Sequence, residues 1–335
     1  MSTLRGHGLR EHGREYLVLR RALGFKLAEN ERLLFQFIDY CEQIGARTVI
    51  ADVAVTWASQ SARGSKPAYR GRRLSVVRAF ARHLATVDPD CQVPSPLLLR
   101  CFRQRQPPHL YSPEQIQALM DTASRLFPTP LRAATYRTLI GLLAATGLRV
   151  GEAVRLDREH VDLDTGVLSV IDSKYGKSRQ LLLHPTTIAV LREYQWLRDR
   201  VAGSIGAPAF FVSTKGRLVV NTVDYVFADI VAAAGIRTSD SGRPPRVHDL
   251  RHSFAVATLL HWYRIGADVQ ARLPTLSTWL GHLSPKSTYW YLQASPELLD
   301  LAAQRLENPI PSSSAGALSW PRSHRSSKRS SPTTW

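Results

Sequence analysis

The stretch His248-Asp249-Leu250-Arg251-His252-Ser253-Phe254-Ala255 decides how the chain is read. In a helix His248 and Arg251, three residues apart, share one side of a turn. Two chemistries fit that pattern. His248 and His252 are also four apart with Asp249 between them, which approximates a zinc-binding HExxH with Asp in place of Glu. A catalytic zinc needs a third protein ligand, however, and downstream only His261 or His282 is on offer, neither in a recognised spacing. The other chemistry is an arginine and a histidine presented together to an anion.

Working outward, three more segments supply groups for the second chemistry. Thr146-Gly147-Leu148-Arg149-Val150-Gly151-Glu152 places an arginine two residues after a glycine stop, at the opening of a short helix whose N-terminus adds positive potential. Glu152 can buttress that guanidinium. Asp172-Ser173-Lys174-Tyr175-Gly176-Lys177-Ser178-Arg179 reads as a polar turn between two strands, and a lysine at a hairpin tip can swing inward and donate a proton. Leu280-Gly281-His282 is followed by Tyr291, nine residues after the histidine. Each segment alone has a bland reading: a structural arginine, a solubilising turn, an aromatic core.

Together they match what strand transfer in DNA demands. A phosphodiester is a poor electrophile, and its transition state gathers charge on the non-bridging oxygens. Guanidinium groups meet that charge bidentately. A nucleophile must attack, and an acid must protonate the departing 5′ oxygen.

Composition agrees. The 335 residues carry 44 Lys and Arg against 27 Asp and Glu, a net charge of +17, and a surplus of that size points to a polyanionic partner. The segment after Glu307 contributes only Arg322, Arg325, Lys328 and Arg329, so most of the surplus lies in the body. No apolar run reaches the roughly 20 residues a membrane helix needs, and the polar opening does not read as a secretory signal. Cys41, Cys91 and Cys101 have no CxxC spacing, which fits a reduced cytoplasmic protein.

The length suits two domains. From Glu11 to Ala85 the pattern is helical, with Leu33, Leu34, Phe37, Ile38 and Cys41 on one face, a helix near Ile50–Ala58, and another over Ala68–Leu84. That last helix carries Arg70, Arg72, Arg73 and Arg78, candidate phosphate contacts along with Lys177 and Arg179. Residues 1–95 are therefore read as a helical DNA-binding domain, 96–110 as a Pro-rich linker, 111–307 as the catalytic domain, and 308–335 as a disordered basic Ser/Pro-rich tail. Ser112-Pro113-Glu114-Gln115 reads as a capping box opening the second domain. Strands at Val167–Ile171 and Gln180–Leu183 and helices at Arg132–Ala145, Thr186–Arg200, Thr222–Ala233, Asp249–Tyr263 and Pro274–Leu280 make it a mixed, mostly helical α+β unit.

In this order the four segments resemble the tyrosine recombinase (phage integrase) family, of the XerC/XerD-like or integrase-like transposase kind. The resemblance spans about 200 residues. It implies a fold that is mostly α with a small β-sheet: an N-terminal helical, SAM-like core-binding domain and a mixed α+β catalytic domain. It implies site-specific cleavage and rejoining of duplex DNA through a 3′-phosphotyrosyl intermediate, without metal or nucleotide cofactor. On it, Arg149 and Arg251 bind the scissile phosphate, Lys174 is the general acid, and His248 assists proton transfer. His282 bonds the phosphate, Tyr291 is the nucleophile, and Glu152 supports Arg149. Tyr289 is the rival nucleophile, and Lys177 and Lys215 are rival acids. A tetramer on two DNA sites is implied, joined by exchange of a C-terminal helix around Pro296–Gln304, and the need for a directionality partner is left open. Two alternatives remain: a type IB topoisomerase, and a catalytically silent DNA-binding protein of the same fold.

Overall fold

The computed structural model describes residues 8–25, 27–60, 67–99, 107–171, 178–202, 208–237, 243–282, 284, 286–292 and 296–307. Lys174, Lys177 and the segment from residue 308 onward fall outside them.

The first four helices are α1 (Leu9–Ala22), α2 (Ala28–Gln43), α3 (Ala51–Ser59) and α4 (Pro67–Leu84). Burial of apolar side chains drives their assembly. Leu33, Leu34, Phe37, Ile38 and Cys41 of α2 are completely buried, and they share a core with Leu74, Val77 and Phe80 of α4 and Trp57 of α3. The expected apolar face is thus the face that packs.

A second set of cores begins near Tyr111. Helix α5 (Pro113–Leu126) opens on the expected capping box: Gln115 N donates to Ser112 Oγ at 3.2 Å, and Ser112 N donates to Gln115 Oε1 at 3.2 Å. The apolar helix α6 (Pro130–Thr146) ends at Gly147, whose φ of +64° favours a residue without a Cβ. A one-turn helix α7 (Val150–Ala153) follows. Strands β2 (Val167–Val170) and β3 (Arg179–Leu182) pair antiparallel, in the register Val167↔Leu182 to Val170↔Arg179. They form the expected hairpin. The sheet is wider than expected, because β1 (Val161–Asp162) pairs with β2, and β4 (Val212–Ser213) and β5 (Gly216–Arg217) form a second small ladder.

Helices α8 (Pro185–Ala202) and α10 (Val247–Arg264) pack against α6, and α9 (Val220–Ala233) packs against α5. Helix α11 runs Val269–Trp279 rather than starting at Pro274. Asp268 caps it, accepting from Ala271 N at 3.0 Å, and that cap outweighs the one ladder bond Pro274 cannot make. Helices α12 (Lys286–Leu292) and α13 (Pro296–Glu307) close the domain. Leu298 of α13 is buried in the core that holds Tyr291, Leu259 and Leu276, and Arg264 on α10 pairs with Glu297 on α13 at 2.5 Å. In this structure α13 therefore packs within its own chain. Among the described residues, no helix is long and apolar enough to cross a membrane.

Candidate active site

The site begins where α6 stops. Gly147 turns the chain with no room for a side chain, since a Cβ there would lie 2.5 Å from Phe254 Cδ1. Two residues later Arg149 caps α7. Its backbone N donates to Glu152 Oε2 at 3.0 Å, and its Nη1 donates to Glu152 Oε1 at 2.7 Å. Glu152 does buttress Arg149. The carboxylate is almost wholly buried. Burial alone would raise its pKa, but hydrogen bonds from Arg179 and from the Arg149 backbone, with the charges of both arginines, hold it at about 2.

Arg251 enters from the first turns of α10, which places it beside Gly147. It is 2% exposed. Nη1 donates to Gly147 O at 2.6 Å and Nη2 to Leu280 O at 2.5 Å. Burial, and then the neighbouring Arg149 charge, lower its pKa to about 10, while the nearby Tyr291 hydroxyl opposes that shift. The guanidinium remains charged at neutral pH.

These arginines meet at the end of α11. Three successive carbonyls there each accept from a different guanidinium. Trp279 O takes Arg179 Nε at 2.7 Å, Leu280 O takes Arg251 Nη2, and Gly281 O takes Arg149 Nη2 at 3.1 Å. A helix C-terminus leaves its last carbonyls unpaired and carries partial negative charge, so it is a natural acceptor for cations. Gly281, at φ +64°, turns the chain out of the helix, and a Cβ on it would lie 2.7 Å from Arg179 Nη1. His282 follows directly, with its Nδ1 2.8 Å from Thr288 Oγ1, and Thr288 is completely buried.

Helix α12 carries both candidate nucleophiles. Residues two apart point roughly 200° apart around a helix, so one faces inward and the other outward. Tyr291 is 3% exposed and Tyr289 is 50% exposed. The Tyr291 ring stacks on His282 with centroids 6.0 Å apart and lies 5.4 Å from the His252 ring. Burial is the main cause that lowers His248 to about 4, His252 to about 3 and His282 to about 4; the Arg251 charge adds to it in all three. All three rings are neutral at pH 7, the form in which an imidazole can accept a proton.

The sequence-predicted residues Arg149, Glu152, His248, Arg251, His282 and Tyr291 thus share one site. Lys174 and Lys177 lie outside the described residues. Arg179 is a correction. Its side chain is 9% exposed and bonded to Glu152 and Trp279, so it faces inward instead of standing on the surface. Two of the α4 arginines are likewise engaged. Arg73 lies 3.9 Å over the Trp57 ring, and Arg78 donates to the carbonyls of Pro94 and Ser95, both at 2.8 Å. Arg78 thereby ties α4 to the segment around Pro94 and Ser95. Arg72 is exposed and Arg70 half-buried.

Sequence reasoning missed Thr288, Arg246 and Tyr111. Arg246 N donates to Asp249 Oδ2 at 3.0 Å and starts α10. Tyr111 N donates to Ser253 Oγ at 2.8 Å, which fastens the chain just before α5 to the helix bearing His248 and Arg251. The pattern xxHDLRHS hinted at the first, since Asp249 is three residues beyond Arg246. Among the described residues, the one set of side chains whose ligand atoms converge is Asp157, Glu159 and His160, where Asp157 is already paired with Arg217.

Residues 110–297 match the phage integrase family model, a span that covers every site residue above. The chain belongs to the phage integrase family. The y4rB integrase/recombinase of Sinorhizobium fredii is 40% identical over 304 residues, covering 89% of this chain and 96% of that protein. The tyrosine recombinase XerC of Pelobacter propionicus is 30% identical over 250 residues, covering 72% and 75% respectively. Among solved structures, the Tn1549 transposon integrase in complex with transposon right end DNA shares the fold, with a TM-score of 0.62 at 14% identity over 90% of this chain and all of that one. This member of the family is a tyrosine recombinase, an enzyme of DNA cleavage and rejoining.

Proposed function

We propose that this recombinase acts on duplex DNA at specific sites, with Tyr291 as nucleophile and Arg149 and Arg251 as the clamp on the scissile phosphate. One observation carries the assignment. Both arginines are anchored on the carbonyls of a single turn, that turn ends at His282, and the Tyr291 ring stacks on His282.

Tyr291 Oη attacks phosphorus and loses its proton, which neutral His248 accepts. The 5′ oxygen leaves as a hydroxyl, protonated by Lys174, and a 3′-phosphotyrosyl bond remains. Arg149 and Arg251 offset the charge that builds on the non-bridging oxygens, and His282 bonds one of them. A 5′ hydroxyl from a second site then attacks the phosphotyrosine and reverses the proton transfers. One phosphodiester is made for each one broken, so no external energy source is required.

Residues 1–95 serve as the second half of a clamp around the DNA, with Arg70 and Arg72 toward phosphates and Arg73 and Arg78 holding α4 in shape. The complex of the Tn1549 integrase with transposon right end DNA supports a DNA partner. Tyr291 is enclosed by its own chain, and α13 lies against α10. Assembly on DNA accordingly moves both, with α13 passing to a neighbouring protomer in a tetramer. The reaction takes place in the cytoplasm, on nucleoid DNA, and a directionality partner is accommodated by the scheme but not required by it.

The test is a product test. Two plasmids carrying DNA that flanks the gene are incubated with the protein, and junctions are sequenced. Joined ends from both plasmids support site-specific recombination. Relaxation of supercoils without joint products favours the type IB topoisomerase reading, and binding without either product favours a silent binder.

A further inference from the structure

Resting on the proposed roles of Arg149 and Tyr291, we infer that Arg179 is a positioning residue of the reaction, which neutralises Glu152 so that the Arg149 charge is left for the phosphate.

The geometry is specific. Glu152 Oε1 accepts from Arg149 Nη1 at 2.7 Å and from Arg179 Nη1 at 3.2 Å. Glu152 Oε2 accepts from Arg149 N at 3.0 Å and from Arg179 Nη2 at 2.9 Å. A single buried carboxylate is thus held by four N–H donors from two arginines. With Arg149 as its only partner, Glu152 would form a near-neutral pair, and the first phosphate-binding cation would be largely quenched. Arg179 supplies the compensating charge. The group of three then keeps a net charge of +1, located at Arg149, whose side chain is 27% exposed against 9% for Arg179 and 2% for Glu152. Bonding separates the roles of the two arginines: Arg179 commits Nη1 and Nη2 to Glu152 and Nε to the Trp279 carbonyl, whereas Arg149 gives Glu152 only Nη1 of its guanidinium.

Arg179 also has a mechanical role. It is the first residue of β3, and its Nε bonds the Trp279 carbonyl at 2.7 Å, next to the two carbonyls that hold Arg251 and Arg149. Gly281 gives it the space, since any side chain there would meet its guanidinium. A fork of three nitrogens used in three directions is something a lysine cannot reproduce.

The experiment measures single-turnover formation of the covalent adduct on a nicked duplex carrying the protein's site, at saturating DNA. Wild type, Arg179→Gln and Arg179→Lys are compared, with Tyr291→Phe as a blank. Each is run on the ordinary phosphodiester and on a methylphosphonate at the scissile position, which has one negative oxygen fewer and so needs less cationic help. DNA affinity and its salt dependence are measured in parallel.

The expected result is a loss on the order of 30- to 100-fold for Arg179→Gln on the phosphodiester, below the cost of deleting a direct electrostatic contact. On the methylphosphonate the loss shrinks to a few-fold, and Arg179→Lys falls between. DNA affinity and its salt slope stay at the wild-type value. Equal losses on both substrates would show a general structural defect and overturn the inference, as would failure of both variants to fold. Weaker binding with a salt slope lower by about one, and unchanged cleavage at saturation, would return Arg179 to the DNA-contact class. If wild type forms no adduct that Tyr291→Phe abolishes, the failure belongs to the proposed reaction, and the inference falls with it.

Discussion

Replacing Glu152 with glutamine keeps the shape of the site's central acid and removes its charge. Its side chain is 2% exposed and lies between two guanidinium groups. Its pKa sits at about 2 in the fold against a reference of 4.5. At about 1.4 kcal/mol per pH unit of displacement, the ionised form stabilises the folded chain by about 3 kcal/mol near neutrality. Breaking a buried charge pair by removing one partner costs about 3–5 kcal/mol, which agrees. A glutamine amide also turns one of the two acceptors into a donor facing an arginine. Because the folded pKa is depressed, the stabilisation is complete above the unfolded value near 4.5 and is lost as pH falls toward 2. Urea unfolding followed by tryptophan fluorescence, with Trp279 close to the site, reads this directly. At pH 7 and pH 5 the variant should be less stable than wild type by about 3 kcal/mol, and the gap should narrow below pH 4.5. A gap under about 1 kcal/mol at pH 7, or one that does not change down to pH 3, would mean that the Glu152 charge does not hold the site together.

The turn and the histidines give two further expectations. Gly281→Ala places a Cβ at φ +64° within 2.7 Å of Arg179 Nη1; about 1–2 kcal/mol of backbone strain plus displacement of that guanidinium should lower both the unfolding midpoint and the cleavage rate, and wild-type values of both would count against the packing described. His248, His252 and His282 are held neutral in the fold at about 4, 3 and 4, so their contribution to stability is present above the unfolded value near 6.5 and is lost as pH falls toward 3–4. Stability should therefore fall as pH drops from about 6.5 toward 4, read as the urea unfolding midpoint across that range, and a midpoint that stays constant there would count against neutral burial of the three rings.

Much of the site was legible because phosphoryl chemistry restricts residue types. Arg149 after a glycine, His248 and Arg251 one turn apart, and His282 after another glycine are each constrained by what they must meet. The glycines were readable as helix stops, but their second role was not. That Gly147 and Gly281 admit Phe254 and Arg179 at close range depends on residues 107 and 102 positions away in the chain. Arg179 was misread for the same reason. In sequence it closes a basic hairpin and looks solvated, while its partners Glu152 and Trp279 stand 27 and 100 residues off. Pro274 suggested a helix start by its preference for a first turn, and Asp268, which wins, carries a weaker signal. The two-residue strands β1, β4 and β5 are too short for any alternation to register.

The central claim is that Tyr291, enclosed by His252, His282 and Trp290 in the free protein, is the group that becomes joined to DNA. Nicked duplexes from DNA flanking the gene are incubated with wild-type, Tyr291→Phe and Tyr289→Phe protein, and products are separated under denaturing conditions. An adduct formed by wild type and Tyr289→Phe and absent from Tyr291→Phe is the predicted result. An adduct that persists in Tyr291→Phe and disappears in Tyr289→Phe would contradict the account and place the nucleophile on the exposed face of α12.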